Sequence, residues 1–491
     1  MQYKSTRGTG ETVSPSYAIL HGIAEDGGLF VPEEIPRLAK PLEELSALSY
    51  QQLAVEIMGK FLTDFTREEL EACAKAAYDS KFDTPQIAPL AKCGDHYFLE
   101  LFHGATLAFK DMALSILPHL LKCSAQKQKL DKKIVILTAT SGDTGKAALE
   151  GFANVEGVEI IVFYPKDGVS PIQKRQMVTQ KGDNTHVVAI EGNFDDAQRS
   201  VKEIFTDPAV AARMRDAGYM FSSANSINIG RLVPQVVYYF AAYFAMVEQK
   251  AVPMGAPIDF CVPTGNFGNI LAAYYAKGMG LPVGKLLCAS NSNNVLTDFF
   301  QTGEYNANRE FYLTMSPSMD ILVSSNLERL IYEICGRDGG AVADLMGQLS
   351  QQGQYKVNAP ELPQIFYGGY ASEEETAAAI REVYAQAGYV MDPHTAVAWC
   401  VKEKYLAASS SAATAVVIST ASPYKFPQSI LSALGEPAMG ESEQTMVDRI
   451  SALSHTPVPA SVKEVLSAPV RHRLECGRDG ALQAVESILG L

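Results

Sequence analysis

The sequence predicts an α/β protein whose open, twisted and mostly parallel sheets are flanked by helices. Three observations carry this expectation. Short apolar runs lack the polar–apolar alternation of a half-exposed strand, Ala-rich helical stretches separate them, and in two places a strand passes through a glycine-containing turn straight into a helix. The runs are 133–138 (KIVILT), 159–163 (EIIVF), 186–190 (HVVAI), 258–262 (IDFCV), 285–289 (KLLCA) and 415–419 (AVVIS). In sheets of this kind ligands bind beyond the carboxyl ends of the strands, so the residues after each run matter most.

Composition sets the outer bounds. A chain of 491 residues implies two or three domains, and 47% apolar with 20% charged residues is ordinary for a globular protein. A formal charge of -14 repels nucleic-acid backbones and anionic lipid, so any anionic substrate must be held by a local cluster of donors. The eight cysteines are scattered without a CxxC, which reads as reduced thiols. The opening MQYKSTRGTGE has no apolar signal core, and no apolar run approaches the roughly 20 residues of a membrane span. A cytoplasmic enzyme is expected.

Along the chain, Asp26-Gly27-Gly28 makes a turn into Leu29-Phe30-Val31-Pro32, and helices follow at 42–58 and 66–78. The second opens with Thr66 and Glu69 at capping-box spacing. The segment 407–413 (AASSSAA) reads as a surface loop.

After KIVILT comes Ala139-Thr140-Ser141-Gly142-Asp143-Thr144-Gly145, then a helix from near Lys146. After IDFCV comes Pro263-Thr264-Gly265-Asn266-Phe267-Gly268-Asn269, then a helix over 270–277. Each arrangement aims free N–H groups and the positive end of a helix dipole at an anion. Neither turn closes in GK[ST] and neither is GxGxxG, which argues against nucleoside triphosphate hydrolysis. Two such cradles in an acidic protein point to a cofactor phosphate plus an anionic substrate, although either turn alone could simply satisfy a tight βα connection.

Glu100–Asp111 reads ELFHGATLAFKD, with Lys110 between Phe109 and Asp111 at the start of a helix expected over 112–121. Apolar neighbours and a helix start both disfavour the ammonium form, as a Schiff-base amine requires. A lysine in a first helical turn is otherwise a common solvated charge.

The segment His103-Gly104-Ala105-Thr106-Leu107-Ala108-Phe109-Lys110-Asp111 resembles the pyridoxal-phosphate (PLP) lysine signature of threonine synthase, with Ala105 where that family more often has Pro. The resemblance continues through DGGLFVP (26–32), TSGDTG (140–145), EGNFDDAQ (191–198), NSINIGR (225–231), PTGNFGN (263–269), SPSMDILVSSNLER (316–329) and STASPYKFP (419–427). It implies a tryptophan-synthase-β-like (fold type II) PLP enzyme, in the longer form with an N-terminal domain. The implied domains are 1–85, a large PLP domain of 86–135 and 226–440, a small mobile domain of 136–225, and a C-terminal helical segment, 441–491, on the large domain.

The resemblance also implies the site. Lys110 would carry the cofactor and shuttle protons, Gly265, Asn266, Phe267, Gly268 and Asn269 would hold its phosphate, and Thr420 would face the pyridine nitrogen. Asp143 would face the ring hydroxyl, where related PLP enzymes commonly have Asn. Ser141, Gly142 and Thr144 would receive the substrate carboxylate, and Asn225, Ser226 and Arg231 its phosphate, a dianion that suits a bidentate guanidinium. Asn225 and Ser226 could equally cap the helix starting near Ile229, and Lys174 and Arg175 either add charge there or form a solvated face. The implied reaction turns O-phospho-L-homoserine and water into L-threonine and phosphate. A threonine dehydratase or cysteine-synthase-like enzyme, or a non-catalytic homologue, are the rival readings.

Other residues receive structural assignments. His103 orients the lysine loop, His394 belongs to a polar turn at a helix start, His186 begins a strand, and Asp195-Asp196 begins a helix. Asp320, Asn326, Glu328 and Arg329 carry no role that their spacing reveals. No HxxxH, HxH or carboxylate pair stands at metal spacing, so no required metal is expected.

Overall fold

The computed structural model describes residues 1–8, 11–140, 142–166, 169–192, 194–409 and 413–491. Among these the strands run, in chain order, β1 (Tyr3–Ser5), β2 (Phe30–Pro32), β3 (Leu90–Cys93), β4 (His96–Glu100), β5 (Lys133–Ala139), β6 (Val158–Pro165), β7 (Thr185–Ile190), β8 (Tyr219–Ser222), β9 (Ile258–Pro263), β10 (Val283–Ser290), β11 (Glu304–Asn306), β12 (Gln354–Lys356), β13 (Phe366–Tyr370), β14 (Ala415–Ser419) and β15 (Leu474–Cys476). Two sheets organise the molecule. The larger has the order β13-β10-β9-β14-β4-β3, parallel except for the antiparallel pair β3–β4. The smaller, β15-β7-β6-β5-β8, is parallel throughout. Val- and Ile-rich runs in β5, β6 and β14 follow from burial on both faces, with helices covering each side.

The long helix Ile229–Glu248 forms the central strut and is buried along most of its length. It packs against the helices Gly268–Met279 and Tyr50–Phe61. The N-terminal residues have no core of their own. Ile57, Met58 and Phe61 share one continuous apolar cluster with Val236, Phe240 and Tyr275, so residues 1–85 clad the large sheet rather than standing apart.

Three expectations change on contact with the structure. The helix expected over 42–58 is two, Leu42–Ser46 and Tyr50–Phe61, because Ser49 and Gln52 make a reciprocal capping box that starts a new helix. The helix expected over 112–121 breaks at Ser115-Ile116 into Asp111–Leu114 and Leu117–Lys127. Pro118 has no N–H to give the Leu114 carbonyl, and Gly151 packs so closely on that oxygen that a Cβ would lie 2.2 Å away. The segment 441–491 does not stay on the large domain. The helix Glu443–Ser454 packs on Pro427–Ala433, but β15 extends the smaller sheet beside β7, and the helix Ala481–Leu489 covers that sheet.

In the AASSSAA segment, Ala407 and Ala408 end the helix Pro393–Ala408, while residues 410–412 lie outside the described residues. No described helix is long and apolar enough to cross a membrane.

Candidate active site

Lys110 lies at the carboxyl end of the larger sheet, on a loop stitched to the chain leaving β14. The Phe109 N–H donates to the Thr420 carbonyl at 2.8 Å, the Ser422 N–H donates to Leu107 at 3.0 Å, and Ala108 and Ala421 form an isolated bridge. Leu107 takes a left-handed φ of 61° to make the turn. Asp111 then fixes the start of the short helix by accepting from the Thr106 N–H (2.8 Å) and hydroxyl (2.5 Å). The same contacts that bury Lys110 therefore place Thr420 within one residue of its loop.

The Lys110 ammonium lies 3.6 Å from Asp143 Oδ2, at the first turn of the helix Asp143–Phe152 in the smaller-sheet half. Burial lowers the Lys110 pKa to about 8, with Lys425 and Arg231 acting in the same direction and Asp143 opposing them. For Asp143, burial favours the neutral acid, but the Lys425 and Lys110 cations outweigh it and hold the carboxyl well below the usual range. Asp143 also accepts from Gln173 Nε2 at 2.9 Å and from the Ser318 hydroxyl at 3.2 Å.

Gly142 and Gly145 are dictated by close approach. A Cβ on Gly142 (φ 139°) would sit 2.5 Å from the Gln173 side chain, and one on Gly145 2.4 Å from Thr140. Thr140 Oγ1 accepts both glycine N–H groups, shaping the turn from inside. Thr144 is half-buried at the helix start, and Ser141 lies outside the described residues.

The Gly265–Asn269 segment is built to present N–H groups. Its Gly265 carbonyl accepts from Ser324 Oγ (2.7 Å), and the Asn266 carbonyl accepts from the Asn326 N–H (3.1 Å) and Nδ2 (2.9 Å). Phe267 is buried with φ 65° and stacks on Phe300. The helix Gly268–Met279 begins with no side-chain cap. Gly265 has no room for a side chain, since a Cβ would lie 2.6 Å from the Ser318 carbonyl. An uncapped helix start, with outward-tied carbonyls and a left-handed residue that makes successive N–H groups converge, matches the demands of a phosphate.

Arg231 is buried in the first turn of Ile229–Glu248. Its Nη1 donates to the Ala224 carbonyl at 2.9 Å, and its buried Nε has no hydrogen-bond partner among the described residues. Burial brings its pKa down to about 10. The helix is capped by Asn228, whose Oδ1 accepts from Gly230 N–H at 2.8 Å, so Asn225 and Ser226 do not serve as caps and remain half-buried beside Arg231. Arg329, also buried, holds this segment by donating to Ile227 O (2.5 Å) and links it to the cradle through Asn326.

Sequence reasoning missed several members of the site. Lys425 is buried and ion-paired with Asp143 at 2.6 Å. It stands between Tyr424 and Phe426, the same aromatic-flanked setting that marks Lys110. Gln173 and Ser318 gave no local signal. His394 lies in the first turn of the helix Pro393–Ala408, as expected, where its Nδ1 donates to Asp392 (2.6 Å) and its Nε2 accepts from the Ser318 N–H (3.1 Å), steadying the loop against Asp143. His103 sits between Asp83 (2.6 Å) and Glu100 (2.9 Å), which hold a proton on it against the effect of burial. Arg175 is committed elsewhere, donating to the Val465 and Leu466 carbonyls at 2.7 and 2.8 Å, and Lys174 is exposed. Among the described residues no group of three or more His, Cys, Asp or Glu could hold a metal ion.

A buried lysine of lowered pKa, together with two helix starts that lack a side-chain cap, fits a PLP-dependent enzyme. Residues 82–348 match the family model for pyridoxal-phosphate dependent enzymes. Flanking it, residues 2–78 match the threonine synthase N terminus and residues 395–471 the threonine synthase C-terminal model.

Threonine synthase of Pseudomonas aeruginosa is 40% identical over 446 residues, 88% of this chain and 90% of that protein. A crystal structure of PLP-bound threonine synthase from Brucella melitensis superposes with a TM-score of 0.87 at 36% identity, covering 100% of this chain and 98% of the other. The human protein threonine synthase-like 1 is 38% identical over 457 residues, and the match takes in 90% of this chain but 61% of that longer relative. The chain belongs to the threonine synthase family.

Proposed function

We propose that the protein converts O-phospho-L-homoserine and water to L-threonine and phosphate, with Lys110 as the residue that holds PLP covalently. The observation that carries this reading is Arg231, a buried guanidinium whose Nε has no partner among the described residues, which holds the Ala224 carbonyl next to Asn225 and lies close enough to Lys110 to depress its pKa. A dehydratase or a cysteine-synthase-like enzyme has no need of a cationic pocket for a substrate phosphate.

Gly265–Asn269 would hold the cofactor phosphate through backbone N–H groups, and Thr420 would meet the pyridine nitrogen with a neutral hydroxyl. When bound, the cofactor supplies an electron sink conjugated to the substrate amino group. The remaining work falls to the chain. Gly142 and Thr144, at the uncapped start of Asp143–Phe152, would bind the substrate carboxylate together with Ser141, which lies outside the described residues. Asn225, Ser226 and Arg231 would bind the substrate phosphate and stabilise it as it leaves Cγ.

The Lys110 amine, buried and easily deprotonated, would take the Cα proton and then a Cβ proton. It would return protons at Cγ and, after water has added to Cβ, at Cα. Closure of residues 136–225 over the large domain would keep water out until the addition step. A cytoplasmic location and a monomer or small homo-oligomer complete the proposal.

The test is phosphate release from O-phospho-L-homoserine with threonine measured in parallel. Stoichiometric threonine and phosphate are expected. Ketobutyrate from threonine without phosphate release would overturn the reading in favour of a dehydratase.

A further inference from the structure

We propose that Lys425 is a positioning residue that serves as the permanent counter-ion of Asp143, so that Lys110 can lose its proton without stranding a buried carboxylate. The proposal rests on the reading of this pocket as the PLP site.

Lys425 lies in the short 3-10 turn Pro423–Lys425 that follows β14 and Thr420, and its side chain is fully buried. A buried ammonium is costly unless paired, and its ion-pair partner is Asp143 Oδ1 at 2.6 Å. It also donates to the Thr106 carbonyl at 3.0 Å. Thr106 is the residue whose N–H and hydroxyl anchor Asp111, next to Lys110. One side chain thus grips both the lysine loop and the helix start that carries Asp143.

The two oxygens of Asp143 are divided between neighbours. Oδ1 meets Lys425 and Gln173, whereas Oδ2 meets Lys110 and the Ser318 hydroxyl. Lys425 therefore does not compete with Lys110 for an acceptor and can remain bound whatever the charge on Lys110. The charged groups facing the Lys110 amine are Asp143, Lys425 and Arg231, and Asp111 faces Lys425 from the helix that follows Lys110. With Lys425 removed, Lys110 would be the cation left against Asp143, and the carboxylate would hold a proton on it. An uncharged Asn at position 143 would need no such partner. Asp143 and Lys425 make chemical sense as a pair.

The experiment is a pH titration of the visible absorption band of the lysine-bound cofactor in the holoenzyme, for wild type, Lys425→Met, Lys425→Arg, and Lys425→Met combined with Asp143→Asn. The midpoint should rise by about one pH unit or more in Lys425→Met, since an opposite charge at this range shifts a titration by roughly 1–3 units. It should return toward the wild-type value both in Lys425→Arg and in the double variant. A folded Lys425→Met protein with the wild-type midpoint overturns the proposal, as does a double variant that keeps the full displacement.

Should Lys425→Met fail to fold, the double variant decides. Recovery of folding once the Asp143 charge is also removed supports the counter-ion role, and failure of both shows that the side chain serves packing instead. A wild-type protein with no visible band defeats the reading of the pocket itself. A band with an unmoved midpoint defeats only this proposal.

Discussion

Lys110 and Arg231 are both cations whose burial weakens their hold on a proton, but the consequences differ. Only a neutral amine condenses with an aldehyde. With the Lys110 amine titrating at about 8, cofactor capture by the apoprotein should quicken about tenfold per pH unit below that value and level off above it. Rapid-mixing absorbance between about pH 6.5 and 9 checks this, and a flat profile would remove Lys110 from the role. Lys110→Ala should abolish turnover and the visible band together. Arg231 remains charged throughout this range. Its truncation to Ala should raise KM for the phosphorylated substrate by about 10- to 100-fold, the equivalent of one charge-assisted hydrogen bond worth about 1.5–3 kcal/mol. Steady-state kinetics read this directly, and an unchanged KM would take Arg231 out of the phosphate site.

At the scale of single elements, the Gly265–Asn269 turn depends on a contact between segments far apart in sequence. Gly265→Ala would drive a Cβ against the Ser318 carbonyl, 2.6 Å away. The loop would have to yield, and PLP affinity measured by dialysis should fall by about tenfold or more, consistent with about 1–3 kcal/mol of overpacking. The same contact explains what could be read from the chain and what could not. The Lys110 loop, the Gly142–Gly145 turn and the Gly265–Asn269 turn are local, each a strand or loop running into a helix, so their residue types carry their geometry. Lys425 and Ser318 reach Asp143 only because the fold brings these distant segments together, and no local pattern encodes that approach. Asn228, rather than Asn225, caps the Ile229 helix because its amide also donates to Ile19 and Ser223, contacts visible only in the fold. Asn326 and Arg329, without a legible role in the sequence, tie the Gly265–Asn269 turn to the segment that precedes the Ile229 helix.

At the scale of the whole molecule, the two chain ends brace opposite halves. Near the N-terminus, Glu328 accepts from Thr6 (2.5 Å) and from two Arg7 nitrogens (2.8 and 2.6 Å), and Arg329 donates to Phe30 O in β2. Residues near the N-terminus therefore hold the segment that carries Asn326, which in turn supports the Gly265–Asn269 turn.

The C-terminal end does the corresponding work for the smaller sheet, and its removal offers a clean measurement. β15 pairs with β7, closing an edge whose backbone groups would otherwise be free, and Ala481, Ala484 and Val485 bury against Val188, Ile190 and Val201. Glu486 adds an ion pair with Arg213 at 3.0 Å. Losing these apolar contacts at roughly 25 cal/mol per Å² of surface costs several kcal/mol, a large share of the stability of a half-molecule this size. Truncation after residue 470 should therefore lower the melting temperature of the smaller half selectively, splitting one thermal transition into two. Limited proteolysis should then cut between residues 185 and 216, while the continuous core around the Ile229–Glu248 helix stays resistant. Because Asp143 and Gln173 lie in that half, cofactor retention should fall along with its stability. A truncated protein that melts in one step at the parent temperature would show that the residues after 470 only decorate the sheet they cover.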